Sequence, residues 1–433
     1  MRLTIAGCLA AGLVPSPASA APGWLRPVNV SKPEKVIVET LSVIADPQGN
    51  ATAVWRLYGR EDGVVKSAER GTGGGWSAPH KLFEDGDRWG SQIAVDPLGD
   101  TTAVWTRLEG RSFVVQSASR PAGGSWSAPV NLSKAGAFEP LVAVDPEGAV
   151  TAIWLLERAG GNRSVVQSAS QPAGGSWSAP VNLSSVKQAA RSPQVALDPL
   201  GGATAVWEVE DSGAVQSASR PAGGSWSAPV NVSGTGAWTY QPQVGVDSQG
   251  NATAVWTNSE GKGSLIESAT RPAGGNWSAP VNLSKPARNT QEAQIAVGPQ
   301  GDATAIWARS NGGDLVIQGA VRPAGGSWSA SVDISAHHGQ GGFYPRVAVD
   351  SRGNATAVWK GYDRNRHNLA VQAATRPLGG RWSLPTDVSN RFTRQTRISE
   401  PQIAVDPQGI STAVWVIGSK GGGIVQAATS ARR

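Results

Sequence analysis

Ile93-Ala-Val-Asp-Pro-Leu-Gly-Asp-Thr-Thr-Ala-Val-Trp105, followed by Val114-Val-Gln-Ser-Ala-Ser-Arg-Pro-Ala-Gly-Gly-Ser-Trp-Ser-Ala-Pro-Val-Asn-Leu-Ser133, decides how this chain is built. The first phrase returns eight times and ends on Trp55, Trp105, Trp154, Trp207, Trp256, Trp307, Trp359 and Trp415. Successive tryptophans lie 49 to 56 residues apart. That period is the length of one four-stranded antiparallel unit in a radial array.

Within the fourth unit, 193–198 reads as a short strand and Pro199-Leu-Gly-Gly202 as a turn, because proline fixes φ and glycine accepts positive φ. Strands are expected over 203–208, 214–219 and 226–232, with a second turn at Pro221-Ala-Gly-Gly224. Four strands and three turns make one meander. Its two tryptophans, recurring at fixed places, suit packing between neighbouring units.

The last unit stops at Thr429-Ser-Ala-Arg-Arg433, short of its fourth strand, and Trp24-Leu-Arg-Pro27-Val-Asn-Val-Ser31 supplies the missing phrase. An N-terminal strand that completes the last unit closes a ring and removes the sheet edges that invite aggregation. The expected fold is all-β: a single eight-bladed β-propeller over 21–433, and a monomer.

Residues 1–20 read as a secretory signal, with Arg2, an apolar stretch 3–14, and Ala18-Ser19-Ala20 before the cleavage point. Ile5-Ala6-Gly7-Cys8 also fits a lipoprotein box, which makes an acylated chain the alternative to free secretion. Ordinary cleavage removes the only Cys and the only Met, so no disulfide or thiolate metal site is expected. No stretch is long and apolar enough for a transmembrane span. A net charge of +6 with basic residues scattered singly disfavours nucleic acid. His337-His338 has no accompanying carboxylate set and the turn aspartate becomes Gly298 in one unit, so neither a metal nor a cofactor is expected.

The turn Ser119-x-Pro121-x-Gly123-x-x-Trp126 resembles the Asp box of sialidases and BNR-repeat proteins, Ser-x-Asp-x-Gly-x-x-Trp. Proline replaces the aspartate here and at Pro172, Pro221, Pro272, Pro323 and Pro377, and the first unit has Gly71. The resemblance implies a propeller whose box is a folding element remote from any active site. A sialidase would also need three arginines, a Tyr/Glu pair and an acidic Asp. The Arg-Ile-Pro segment that carries the first arginine is missing, and Arg56, Arg107, Arg309 and Arg346 stand in other contexts. Eight-bladed quinoprotein dehydrogenases share a repeated Asp, Gly and Trp phrase, but no counterpart of their cofactor pocket is visible.

Function is therefore sought where the units differ, in the loops between strands two and three and between blades. Trp89, Trp238, Tyr240, Phe343 and Tyr344, with Tyr58 and Tyr362 placed in loops, are the candidate ligand-binding residues: non-repeating aromatics beside polar groups on a rigid frame. The reading is a secreted non-catalytic propeller that binds a glycan or an extracellular protein partner. The alternative is a glycan-active enzyme, a hydrolase or lyase, with two carboxylates drawn from Glu61, Asp87, Glu109, Glu157, Glu208, Glu210 and Asp363.

Overall fold

A computed structural model describes residues 23–433 except 59–62, 85–90, 159–162, 237, 262, 314, 336–340, 363–367, 394–395, 420–421 and 432–433. It has eight antiparallel blades in a ring, and no helix among the described residues. Blades 1 to 8 follow chain order, opening at Ile37, Ser91, Ala137, Ala190, Trp238, Thr290, Gly342 and Arg397. Each blade's first strand is innermost, and successive first strands pack against each other around the axis. The turns between strands one and two and between three and four lie at one end, the repeat face. The remaining loops form the opposite, variable face.

In blade 4 the strands are Ala190–Leu197, Ala203–Val209, Ala214–Arg220 and Val230–Asn231. The outer strand is shorter than its sequence suggests. Trp226 leaves the ladder to lie beneath Arg220, whose guanidinium carbon stands 5.4 Å from the ring centroid, and Pro229 has no N–H to offer.

The second-strand tryptophans are the core, all eight being 0% or 1% exposed. Trp207 packs with Ile153, Leu155 and Val166 of blade 3, so its apolar surface is buried across the seam. The indoles of Trp154, Trp256, Trp307, Trp359 and Trp415 donate inside their own blades. Trp154 Nε1 donates to Gln167 Oε1 at 3.1 Å, and Gln167 Nε2 donates to Asn182 Oδ1 at 2.8 Å. The recurring Val-Asn-Leu-Ser phrase follows from this: Asn anchors the third-strand glutamine, Leu183 is buried, and Ser184 Oγ accepts the N–H of Val166 at 2.9 Å.

The ring closes as the sequence indicates. Val28–Asn29 pairs antiparallel with Gly422–Thr429, Val28 opposite Ala427 and Asn29 opposite Gln426. Gln426 Nε2 donates to Asn29 Oδ1 at 2.9 Å, and Val425 N donates to Ser31 Oγ at 3.0 Å, the same contacts that covalently continuous blades make.

On the repeat face each turn aspartate serves its own turn, as expected. Asp145 Oδ1 accepts from Glu147 N and Ala149 N. The same carboxylate also meets the next blade. Gly201 has φ +83°, and a Cβ there would lie 2.6 Å from Asp145 Oδ2. In blade 6, where Gly298 replaces the aspartate, the carboxylate of Asp302 occupies the vacated space and faces Gly353 of blade 7. Arginines ending the third strands reach back one blade: Arg70 Nη2 donates to Thr412 Oγ1 at 3.1 Å, Arg220 to Thr151 at 2.9 Å, Arg271 to Thr204 at 2.7 Å and Arg322 to Thr253 at 2.8 Å. Burial pulls these four guanidinium pKa values down, and Asp406, Asp145, Asp198 and Asp247 of the preceding blades pull them back.

Ser31→Ala leaves the buried Val425 N–H without its acceptor and is expected to cost about 1–3 kcal/mol. Ser284→Ala, which removes the matching bond to Ile266 inside a continuous blade, should cost the same. Denaturant unfolding of the two variants compares them, and a negligible loss for Ser31→Ala alone would mean that the terminal strand does not hold the ring.

Candidate functional site

A bulge repeats on the innermost strands, at their variable-face ends. In blade 3 Phe138 pairs with Leu155 and Leu141 with Ile153, so Glu139 and Pro140 together face the single residue Trp154. Blades 4 to 7 shift register at the same place. The first residue of each bulge is left-handed without being glycine: Glu139 (φ 51°), Ser192 (47°), Gln241 (52°), Glu292 (60°) and Tyr344 (54°). Such backbone is costly and concentrates where a side chain must be aimed.

These residues are chained from blade to blade. Glu208, which follows Trp207, accepts the N–H of Gln241; Gln241 Oε1 accepts Glu292 N at 3.3 Å; Glu292 Oε2 accepts Tyr344 N at 2.7 Å. Each side chain satisfies the N–H that the next bulge withdraws from its ladder.

Charges collect in two groups. Around blades 3 and 4, Arg191 forms a two-point ion pair with Glu210, at 3.0 Å from Nε and 2.9 Å from Nη2. Burial raises the Glu139 carboxyl above its ordinary range, the Glu208 carboxylate raises it further, and Arg191 opposes both. Burial likewise raises Glu208 against its bonds from Gln241 and Ser192 and the pull of Arg191, while Glu210 adds to the rise. Around blades 6 to 8, Arg346 Nη2 pairs with Glu400 Oε2 at 3.0 Å, and Lys360 Nζ donates to Ile398 O at 3.1 Å. Burial and Glu400 raise Glu292 against the Tyr344 N–H and Arg346. Tyr344 is raised by burial, then by Glu292 and Glu400, so its phenol stays protonated. Burial lowers the Lys360 ammonium, with Glu400 opposing. At the position of Glu208 and Lys360, blade 1 carries Arg56, which is fully buried.

A cavity of 760 Å³ opens at the variable end of the seam between blades 3 and 4. Phe113, Phe138 and Leu155 give it an apolar wall, and Glu139, Arg191 and Glu210 a charged one. Its volume and mixed lining are those of a small-ligand site.

Of the aromatics singled out in the sequence, Trp238 and Tyr240 open the inner strand of blade 5 and are 57% and 43% exposed. Phe343 packs edge-on against Tyr362, ring centroids 5.7 Å apart, so these two support each other at the rim of blade 7. Tyr344 is the bulge residue. Tyr58 and Tyr362 are not in loops; each ends its blade's second strand, Tyr58 paired with Ile37 of the first strand and Tyr362 with Leu369 of the third. Trp89, His337-His338, Glu61, Asp87 and Asp363 lie outside the described residues. Among the expected carboxylates, Glu208, Glu210 and Glu157 join the first group or line the cavity, whereas Glu109 is exposed. Sequence reading missed Glu139, Glu292 and Glu400. For Glu139 and Glu400 the signal is a residue placed before a proline, as in Glu139-Pro140, Ser192-Pro193, Gln241-Pro242, Tyr344-Pro345 and Glu400-Pro401, whereas Glu292 precedes Ala293.

Among the described residues no group of three or more His, Cys, Asp or Glu could hold a metal ion, and no helix is long and apolar enough to cross a membrane. No family model matches the sequence, and no curated protein sequence matches it. Solved structures do. An ulvan lyase of polysaccharide lyase family PL25, bound to -[GlcA(1-4)Rha3S]-, aligns over 91% of this chain and 95% of its own at 10% identity, with a TM-score of 0.52. The polysaccharide lyase Uly1 aligns over 82% of this chain and 93% of its own at 10% identity and TM-score 0.51. A Hadza microbial sialidase aligns over 77% of this chain and 73% of its own at 13% identity and a TM-score of 0.39. At such identities the likeness is one of fold.

Because burial raises Glu139 and Glu208, the folded protein holds protons that the unfolded chain releases. Their stabilising contribution is present at low pH and is lost as pH rises from the ordinary carboxylate range, about 4.3, through the raised values. The double variant Glu139→Gln/Glu208→Gln keeps acceptor oxygens and should gain thermal stability relative to the parent as pH rises from about 4 to 7. Parallel melting curves of the two proteins across that range would contradict the assignment.

Proposed function

We propose that this protein is exported and binds a glycan chain across the variable face, between the channel mouth and the cavity at the seam of blades 3 and 4. The observation that carries the reading is the aimed set of bulge side chains beside a cavity with one apolar and one charged wall. Sugar rings present hydroxyl edges and apolar faces. Carboxyls held at Glu139, Glu208 and Glu292, with the ion-paired Arg191 and Arg346, supply donors and acceptors for the first. Trp238 and Tyr240, exposed on a rigid strand, supply stacking faces for the second. Fold likeness to structures that include polysaccharide lyases accords with this without specifying it.

A second reading, a glycan-active enzyme, is favoured by one observation. Glu139 and Glu210 line one cavity, burial raises Glu139 and Glu208, and the Glu208 carboxylate raises Glu139 further; a proton held on one of several neighbouring carboxyls is what general acid catalysis at a glycosidic bond requires. Tyr344 serves this reading only as a hydrogen-bond donor, since its two carboxylate neighbours oppose the phenolate a nucleophile would need.

A glycan array probed with the chain from Ala21, beside Trp238→Ala/Tyr240→Ala and Glu139→Gln/Glu208→Gln, tests both. We expect at least a tenfold loss of affinity in each variant, about 1.4 kcal/mol. A blank array from folded protein would sink glycan binding. Incubating the bound glycans with the protein and scoring new reducing ends or unsaturated uronate absorbance decides the enzyme reading, which requires product from the parent and none from Glu139→Gln/Glu208→Gln.

A further inference from the structure

On the repeat face the seams between blades can be compared with one another, so the protein contains its own controls. At most seams an arginine ending the third strand of one blade lies against the preceding blade. There its guanidinium meets the second-strand threonine and, for Arg70 and Arg220, the hydroxyl of the residue that precedes the preceding blade's arginine position, Thr429 or Ser170. The turn aspartate of the preceding blade answers its charge. Two seams depart from the rule. Between blades 2 and 3 the residue is Gln171, which folds back onto Gly175 O of its own turn at 2.7 Å. Between blades 7 and 8 it is Ser430, whose short side chain instead accepts Ser411 N at 2.8 Å.

A cavity of 390 Å³ lies at the blade 7/8 seam, lined also by Arg352 and by Arg376, the counterpart of the Arg70 that stands beside Arg120 at the blade 1/2 seam. Thr356, Thr375 and Asp350 line it, the counterparts in blade 7 of Thr412, Thr429 and Asp406, which receive Arg70 at the next seam. The blade 1/2 seam keeps an equivalent cavity of 350 Å³ with its arginine in place: the matching residues Asp46, Thr52 and Glu69 line it, and Arg120 lies at its wall paired with Glu69. At the 7/8 seam Ser411 Oγ reaches Thr356 Oγ1 at 3.0 Å, the only hydroxyl partner that threonine has among the described residues. Asp350 accepts from Arg352 N, Asn354 N and Asn354 Nδ2, as the turn aspartates of arginine-filled seams do.

We infer that the blade 7/8 seam binds a guanidinium group presented from outside the ring, an arginine side chain or a small alkylguanidinium, in the place that Arg120, Arg220, Arg271 and Arg322 fill at other seams. A planar fork of donors suits the two hydroxyls and the carboxylate, which a compact ammonium cannot engage together. Alkylguanidinium and a peptide arginine share this chemistry, as do Arg432 and Arg433 that follow Ala431 in the sequence.

The test is an NMR titration of isotope-labelled protein with N-ethylguanidinium, with ethylammonium at equal ionic strength as control. Saturable shifts of the Thr356, Thr375 and Gly409 amides with the guanidinium alone are expected, weakened in Thr356→Val and abolished in Ser430→Arg, whose own side chain fills the space. The titration is repeated on Arg432→Ser/Arg433→Ser. Shifts confined to that variant would support the site with the chain's own terminus as the competing source, and a peptide containing arginine should then displace ethylguanidinium. Absence of saturable shifts in both backgrounds, equal shifts with ethylammonium, or unchanged shifts in Ser430→Arg would overturn the inference.

Discussion

Burial of an indole across a seam is the interaction on which everything else in this ring depends. A four-stranded blade alone would leave its second-strand tryptophan facing water. Packed against the neighbour, as Trp207 is against Ile153, Leu155 and Val166, that ring disappears from solvent. Since every blade lends surface to the next, no blade is self-sufficient and the array must close. Closure in turn fixes seam geometry closely enough for polar groups to be matched across it. The Arg271–Thr204 contact and the fit of Gly201 against Asp145 work only if neighbouring blades keep one spacing and tilt.

This division of labour explains why the two faces differ. The repeat face is held by side chains that serve their own turn and the next blade at once, so its sequence is nearly invariant from unit to unit. The variable face is fastened by the bulge chain Glu208, Gln241, Glu292 and Tyr344, in which different residue types carry out the same backbone repair. Any acceptor of suitable length satisfies the next N–H. Position by position, the identity of that acceptor is free to change, and with it the charge at the variable-face end of the inner strands.

The same contrast decides what could be read in advance. Blade number, strand order and closure by 24–31 were legible because they are written repeatedly, and a repeated phrase has few explanations other than a repeated structure. The short outer strands were not, because Trp226 follows its arginine and leaves the ladder that a β-rich segment suggests. The aromatic rim at Trp238 and Tyr240 was found by its departure from the repeat. Glu139, Glu292 and Glu400 escaped because a single glutamate, whether before a proline or before Ala293, carries no pattern of its own. For Glu139 and Glu292 only the bulge, a matter of register, turns an ordinary strand residue into one set against the neighbouring blade.

Closure by a strand of two residues, Val28–Asn29, has a consequence for the order in which the ring can assemble. Asn29 meets Gln426 across 397 positions of chain, so the contact that finishes blade 8 is among the most non-local in the molecule. The entropy of bringing such distant points together grows only logarithmically with separation, yet it is recovered only once the intervening blades have already condensed. Blades 1 to 7 can stack progressively as the polypeptide emerges, while the open flank of blade 8 stays an unpaired edge until the last step. The latch is thus a checkpoint on completeness: a chain truncated before Gly422 retains the entire amino-terminal strand and has nothing for it to pair with.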